Sequence, residues 1–285
     1  MKTKKRKKLI ALFAVATLSC MALTGCGVKR TTDEDIGGIE SNAVSNDADS
    51  ATSGTITVYT ALEDDIIEKY LQSFYKKYPD IKINLVRDAT GTIIAKAIAE
   101  KDNPVADVVW GVSASVLLQL DKYNLIKGYT PNGADRVLDQ FKDTKNEDMK
   151  WVGIEVYETA FLVNTEVCEA KGLDIPTCFN DLLDPQYENQ IIMPDPTSSG
   201  TGMLTINGIL QTMGNEAGWE YLEALNNNIA SYTTSGSKPA KMAASSEIAV
   251  GLSMGYRCAQ LYQEGNPVVV VFPNTKTTPL LHFIL

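Results

Sequence analysis

The sequence predicts an α/β fold, and three observations carry that prediction. From Thr55 to Tyr123, segments of strand-like and helix-like periodicity alternate as strand, helix, strand, helix, strand, helix. A strand–loop–helix pattern then recurs twice, in "NQIIMPDPTSSGTGMLTINGILQTMG" (189–214) and in "NIASYTTSGSKPAKMAAS" (228–245). The 285 residues, 44% hydrophobic and 21% charged, have the length and composition of a soluble chain of two ordinary domains. Alternation of this kind builds parallel sheets with crossover helices, here twice over.

The first 54 residues stand outside that pattern. "MKTKKRKK" supplies six basic residues, and Leu9–Leu23 is mostly apolar but short for a membrane span, so residues 1–25 read as a secretory signal peptide. It ends in Leu23-Thr24-Gly25-Cys26, which resembles the lipobox of bacterial lipoproteins. That resemblance implies cleavage before Cys26 and diacylglycerol on its thiol. Residues 26–54 then form a lipid anchor and tether, rich in Ser, Asp, Thr, Asn and Gly, without apolar periodicity. The cluster Asp33-Glu34-Asp35 reads as a solvated charge run. The signal carries six basic residues and no acidic one, so the remainder holds 20 basic against 35 acidic, a net −15 against −9 for the whole sequence. Such an acidic chain does not hold nucleic acid by counterion release or an anionic membrane by charge. Cys168, Cys178 and Cys258 remain, with no Cys-x-x-Cys spacing. A Cys168–Cys178 bridge is open to an exported chain, but free, partly buried thiols are the preferred reading.

The folded part begins at Thr55. "TITVYT" alternates as a strand, and Glu63–Tyr78 has apolar residues at 66, 67, 70, 71 and 74, a helical stripe ended by Pro79. "IKINLV" is the second strand and Thr92–Lys101 a helix. "VADVVW" reads as a buried strand and Ser113–Tyr123 as a helix. "WVGIEVYETAFLVN" (151–164) is a long extended run, and "NPVVVVFP" (266–273) is a last buried strand.

Ligands of open parallel sheets collect beyond the carboxyl ends of the strands. Four loops there share one design: "YTALED", "WGVSAS", "DPTSSGTGM" and "YTTSGSKPA". Each follows a strand, precedes a helix, and offers small hydroxyl or glycine residues where helix N–H groups are unpaired. One serine serves as an N-cap; three or four in a row exceed that need. Several N–H groups and the helix dipole favour a negative charge. The candidate ligand residues are therefore Thr60, Ala61 and Glu63; Ser113 and Ser115; Asp195, Thr197, Ser198, Ser199, Gly200 and Thr201; and Ser235 and Ser237. None of these loops is a nucleotide P-loop.

Together, the lipobox, acidic tether, "ITVYTALED", "ADVVWGVSAS", "VGIEVYETAFLVN" and "DPTSSGTG" resemble solute-binding proteins of bacterial ABC importers, in the branch that includes ferric-iron, 2-aminoethylphosphonate, phosphosugar and thiamine binders. The resemblance implies a two-lobed type II periplasmic-binding-protein fold. Each lobe is then a mixed, mainly parallel sheet flanked by helices, with a two-strand hinge that closes the lobes on ligand. Lobe 1 would be 55–151, the first crossing 152–163, lobe 2 164–266, and 267–285 a second crossing (267–273) with a short atypical tail. Iron-binding members carry two adjacent tyrosines; here Tyr256 matches the first, and Arg257 stands in place of the second. That argues for a phosphate or phosphonate head group, as in 2-aminoethylphosphonate, over ferric iron, with Tyr256 either against the ligand or a core aromatic. An amine on it would want a carboxylate, from Glu63, Asp195 or Glu155. No metal and no cofactor are expected. The tail "NTKTTPLLHFIL" departs from the family, whose members continue with helices returning to the first lobe, and a truncation or frameshift is the reading of it.

Two rival classes are weaker. Ser235-Gly236-Ser237-Lys238 matches the S-x-x-K of serine acyl-enzymes, but its partner motifs S-D-N and K-T-G are missing from the sequence. A purely adhesive lipoprotein leaves the donor-rich loops unexplained. The sequence therefore predicts a non-enzymatic monomer, lipid-anchored on the extracytoplasmic face, that delivers a small anionic solute to an ABC permease in the membrane.

Overall fold

The computed structural model describes residues 53–273 and the backbone of 281–284. The expected signal peptide, Cys26 and nearly all of the tether lie outside the described residues. "TITVYT" lies within β1 (Gly54–Thr60), which runs from exposed at Gly54 to buried at Val58, Tyr59 and Thr60. The helical stripe that follows is α1 (Asp64–Lys77), with two acidic residues in its first turn and two lysines in its last, as the helix dipole favours. It ends at Tyr78, whose N–H reaches the Phe74 carbonyl, just before Pro79. β2 (Ile81–Arg87) returns parallel to β1, Gly54 opposite Ile81 and Thr60 opposite Arg87. After α2 (Thr90–Ala99), β3 (Val108–Trp110) pairs with the other side of β1, and α3 (Ala114–Lys122) closes the unit. The first lobe is thus a three-stranded parallel sheet in the order β2-β1-β3.

β3 differs from the buried strand that "VADVVW" predicts. It spans three residues and pairs on one side only, and Val108 is 44% exposed. As an edge strand it has no neighbour on its outer side among the described residues. The core of this lobe instead gathers under α3, where Val112, Val116, Leu117 and Leu120 pack with Ile94, Ile98 and Trp151.

The second lobe is built on β4 (Glu155–Asn164), the long extended run seen in the sequence. Asn164 caps α4 (Thr165–Lys171) by accepting from the Val167 N–H at 2.8 Å. Then follow β5 (Ile191–Pro194), α5 (Gly200–Met213), α6 (Asn215–Asn226), β6 (Ile229–Thr233), α7 (Lys238–Ala244), β7 (Val250–Met254), α8 (Gly255–Gln263) and β8 (Val268–Val271). The sheet order is β6-β5-β7-β4-β8. β5 runs parallel to β6 and β7, whereas β4 runs antiparallel to β7 and β8. A final strand, β9 (Leu281–Ile284), pairs antiparallel with Glu155–Glu158 of β4.

This lobe holds the larger core. Phe161 is fully buried and meets Phe179 edge-on at 5.1 Å, among Leu182, Ile191, Leu225 and Leu252. On the other face of the sheet, Ala240, Ala243 and Ala244 let α7 lie close to the strands. Cys168, Cys178 and Cys258 are free thiols.

Candidate functional site

The carboxyl ends of β1, β2 and β3 face loops from the second lobe across a cavity of about 350 Å3. That volume is at the lower end for small-molecule sites, about 300–1,000 Å3. The first lobe contributes Ala61, Leu62 and Glu63, the run Arg87–Thr90, and Gly111–Ser113. The second contributes Tyr157, Ser199–Thr201, Leu204, Thr234–Gly236, Met254 and Tyr256.

One pole of this cavity is made of helix starts. α2 begins beside Ala89 and Thr90, α3 beside Ser113, and α5 beside Ser199, Gly200 and Thr201. Ala89 has no side chain to cap with, and Ser113 does not cap α3, because its hydroxyl bonds Ser115 Oγ at 2.8 Å. Ser199 Oγ is a stretched 3.5 Å from the Gly202 N–H. The Gly91 N–H is taken by the Ser198 carbonyl and the Gly202 N–H by Ser199. Among the described residues it is the other first-turn amides, those of Thr90 in α2, Ala114 and Ser115 in α3, and Gly200 and Thr201 in α5, that are left to find another acceptor. Glycines permit the crowding: a Cβ on Gly200 would sit 2.7 Å from Thr90 Oγ1, and one on Gly236 would sit 2.2 Å from Thr201 Oγ1.

The other pole carries charge and rings. Arg87, at the end of β2, reaches Glu63 at 3.2 Å and Asp64 at 3.3 Å, and its Nε donates to the Leu62 carbonyl. Glu63 also accepts from Ser237 Oγ at 2.9 Å. Tyr157 and Tyr256 meet edge-on at 6.5 Å. Burial pushes the Tyr256 phenol up to about 12 and raises that of Tyr157 as well, so both rings are neutral hydrogen-bonding groups at neutral pH.

Of the residues singled out in the sequence, the structure brings Ala61, Glu63, Ser113, Ser199, Gly200, Thr201, Ser235 and Tyr256 together around this cavity. Thr60 is fully buried and accepts from the Leu62 N–H, holding the turn after β1. Ser237 is 1% exposed, its hydroxyl directed to Glu63. Ser115, Thr197 and Ser198 line an adjoining cavity of about 380 Å3 with Ile94, Ile98 and Met203. Asp195 accepts from the Thr197 N–H and hydroxyl, and it faces a separate groove beside Trp219. Glu155 accepts from Tyr70, and burial raises its carboxyl. Ser235 bonds Ser237, both through its hydroxyl and by accepting the Ser237 N–H.

Sequence reading missed Arg87, Asp88, Thr90, Gly111 and Tyr157. Arg87 closes β2, and Asp88, Thr90 and Gly111 follow the ends of β2 and β3, the positions where sheet ligands gather, so register would have found them. Tyr157 carries no comparable signal, because it sits inside a strand.

The profile of the family described as bacterial extracellular solute-binding protein matches residues 103–275, more than half of the chain. The chain belongs to this family. A protein of Haemophilus influenzae is 30% identical to this solute-binding protein over 222 residues, 77% of this chain and 64% of that relative. The chain thus spans a little under two-thirds of that relative's length. A probable ABC transporter periplasmic-binding protein of Sinorhizobium fredii, y4fP, is 24% identical over 147 residues, 50% of this chain and 40% of its own. Among solved structures, the periplasmic binding protein AfuA from Actinobacillus pleuropneumoniae, with exogenous fructose-6-phosphate bound, aligns with a TM-score of 0.74. It is 30% identical over 82% of this chain and 75% of AfuA. The fold is the two-lobed type II periplasmic-binding-protein fold that the sequence predicts.

Proposed function

We propose that this solute-binding protein captures a small phosphate- or phosphonate-bearing solute between its lobes and delivers it to an ABC permease. The observation that carries the reading is the meeting of three helix starts, α2, α3 and α5, at one pole of one cavity, where Thr90, Ser113, Gly200 and Thr201 stand at the wall. Each charge-assisted hydrogen bond to an anion there contributes about 1.5–3 kcal/mol. A hydroxyl-rich organic part suits the opposite pole better than the amine of 2-aminoethylphosphonate. Glu63 is already paired with Arg87 and Ser237, so the group offers both donors and acceptors rather than a free carboxylate. The fructose-6-phosphate held by AfuA supports a sugar phosphate as the form of solute. The 152–163 and 267–273 segments, which include much of β4 and all of β8, would serve as the hinge, and Cys26 as the lipid anchor on the extracytoplasmic face. No chemical step is needed: the Ser235 hydroxyl is engaged with Ser237.

Melting the full chain after the signal peptide tests this reading, alone and with fructose 6-phosphate, 2-aminoethylphosphonate, inorganic phosphate or ferric citrate. Ligand at a hundred times its dissociation constant adds about 2.7 kcal/mol, a rise of several degrees. A rise with fructose 6-phosphate and none with ferric citrate is the expected result. A rise with ferric citrate alone would overturn it.

A further inference from the structure

Beside the cavity, and outside its lining, an ion pair joins the lobes directly. Arg257, near the start of α8, is 5% exposed. Its Nη2 donates to both carboxylate oxygens of Asp65, at 3.0 and 3.3 Å, and its Nη1 donates to Gln260 at 2.7 Å. Its Nε is buried without a partner. Asp65 belongs to the first turn of α1 in the other lobe, and its side chain is 40% exposed. Burial draws the Asp65 carboxyl upward, but the bonds and charge of Arg257 outweigh it and hold the group below its usual range, with Lys69 adding to the effect. The one ion-pair partner of this nearly buried guanidinium among the described residues is thus on the opposite lobe. Parting the lobes removes this partner, so the ion pair and its two hydrogen bonds contribute to holding the lobes together.

A second direct bridge accompanies the first. The Gly91 N–H, in the first turn of α2, donates to the Ser198 carbonyl before α5 at 2.8 Å. A Cβ on Gly91 would stand 2.8 Å from the Thr197 carbonyl oxygen, so a glycine is what lets the lobes approach here. An apolar cluster also spans the lobes, with Leu62 and Ile67 from the first and Tyr157 and Met254 from the second.

We propose that Arg257 is a positioning residue for closure: through Asp65 it holds the lobes at binding distance whether or not a solute fills the cavity, so the closed form is a populated resting state. This does not depend on which solute binds.

Hydrogen exchange at the Gly91 amide, followed by NMR on the full chain after the signal peptide with no solute added, tests the proposal. A first-turn amide has no intrahelical acceptor, so its protection reports the bond to Ser198 across the cleft. The wild-type amide is expected to be protected. Asp65→Arg should speed its exchange about tenfold or more, an opening free energy lowered by about 1.4 kcal/mol. The Leu252 amide, deep in the second lobe, should keep its rate, which separates opening from unfolding. Adding Arg257→Asp to Asp65→Arg should restore protection. Where that double variant does not fold, Asp65→Asn alone decides, since it removes the charge at a part-exposed position. Equal Gly91 rates in wild type and the Asp65 variants, or an unprotected wild-type amide, would overturn the proposal. Because no solute is present, a failed phosphate reading leaves this result standing.

Discussion

Ser237 Oγ donates to Glu63 Oε1 at 2.9 Å, although 174 residues separate the two in the chain and each belongs to a different lobe. The same carboxylate takes Arg87 at 3.2 Å and lies 3.9 Å from Lys241. Glu63 is therefore a junction between the lobes as well as part of the cavity wall. Glu63→Gln keeps the shape, removes the charge and frees Arg87. On the proposed function, fructose 6-phosphate should then bind about tenfold more weakly, a loss of about 1.4 kcal/mol, while binding of inorganic phosphate changes little. Titration calorimetry with both ligands checks the difference.

Gly236 lies against the start of α5, and a Cβ there would meet Thr201 Oγ1 at 2.2 Å and Thr201 Cβ at 2.9 Å. The branched threonine cannot turn fully aside, so Gly236→Ala should displace the loop and narrow the anion pole. A drop in phosphate-ester affinity of about tenfold or more is expected, with a far-ultraviolet circular dichroism spectrum like that of wild type.

Asp181 gives a pH prediction with a definite sign. Its carboxylate accepts from the Thr177 N–H and hydroxyl and from the Cys178 N–H and thiol, and these bonds hold it at about 2 against an ordinary 3.8. The unfolded chain binds this proton first as pH falls. The stabilisation is therefore complete above about pH 4 and is lost toward pH 2. The melting gap between wild type and Asp181→Asn should be constant near neutrality and close progressively below pH 4.

The second lobe's core carries the fold, and Phe161 is at its centre, fully buried against Phe179. Phe161→Ala should cost about 3–5 kcal/mol, read as a lower urea midpoint at unchanged slope.

Much of this was legible in the chain because period is a local signal. β1, α1 and β2 follow their apolar spacing closely, α2 starts at Thr90, two residues before the Thr92 expected, and the loops after β1, β3 and β5 were found as donor-rich turns at strand ends. β7 was not read as a strand, since all five of its residues are buried and "VGLSM" shows no alternation. α6 was missed because its apolar side is carried by Trp219, Tyr221, Leu222 and Leu225 amid glutamates and asparagines, a weak stripe. Arg87 carried no signal in the sequence, because its partners Glu63 and Asp64 lie at the start of α1, more than twenty residues earlier. Thr60 and Ser237 read as ligand donors because hydroxyls in such loops look alike, yet their bonds hold a turn and a lobe junction. Side-chain destinations of this kind depend on contacts distant in sequence, which spacing does not encode.

The most direct test of the anion pole is a calorimetric comparison of fructose 6-phosphate with fructose on the same preparation of the full chain after the signal peptide. If the amides of α2, α3 and α5 hold the phosphate, the ester should bind at least about a hundredfold tighter, the equivalent of one to two charge-assisted hydrogen bonds. Equal affinity for the two would contradict the account, because the helix starts would then have no part in holding the solute.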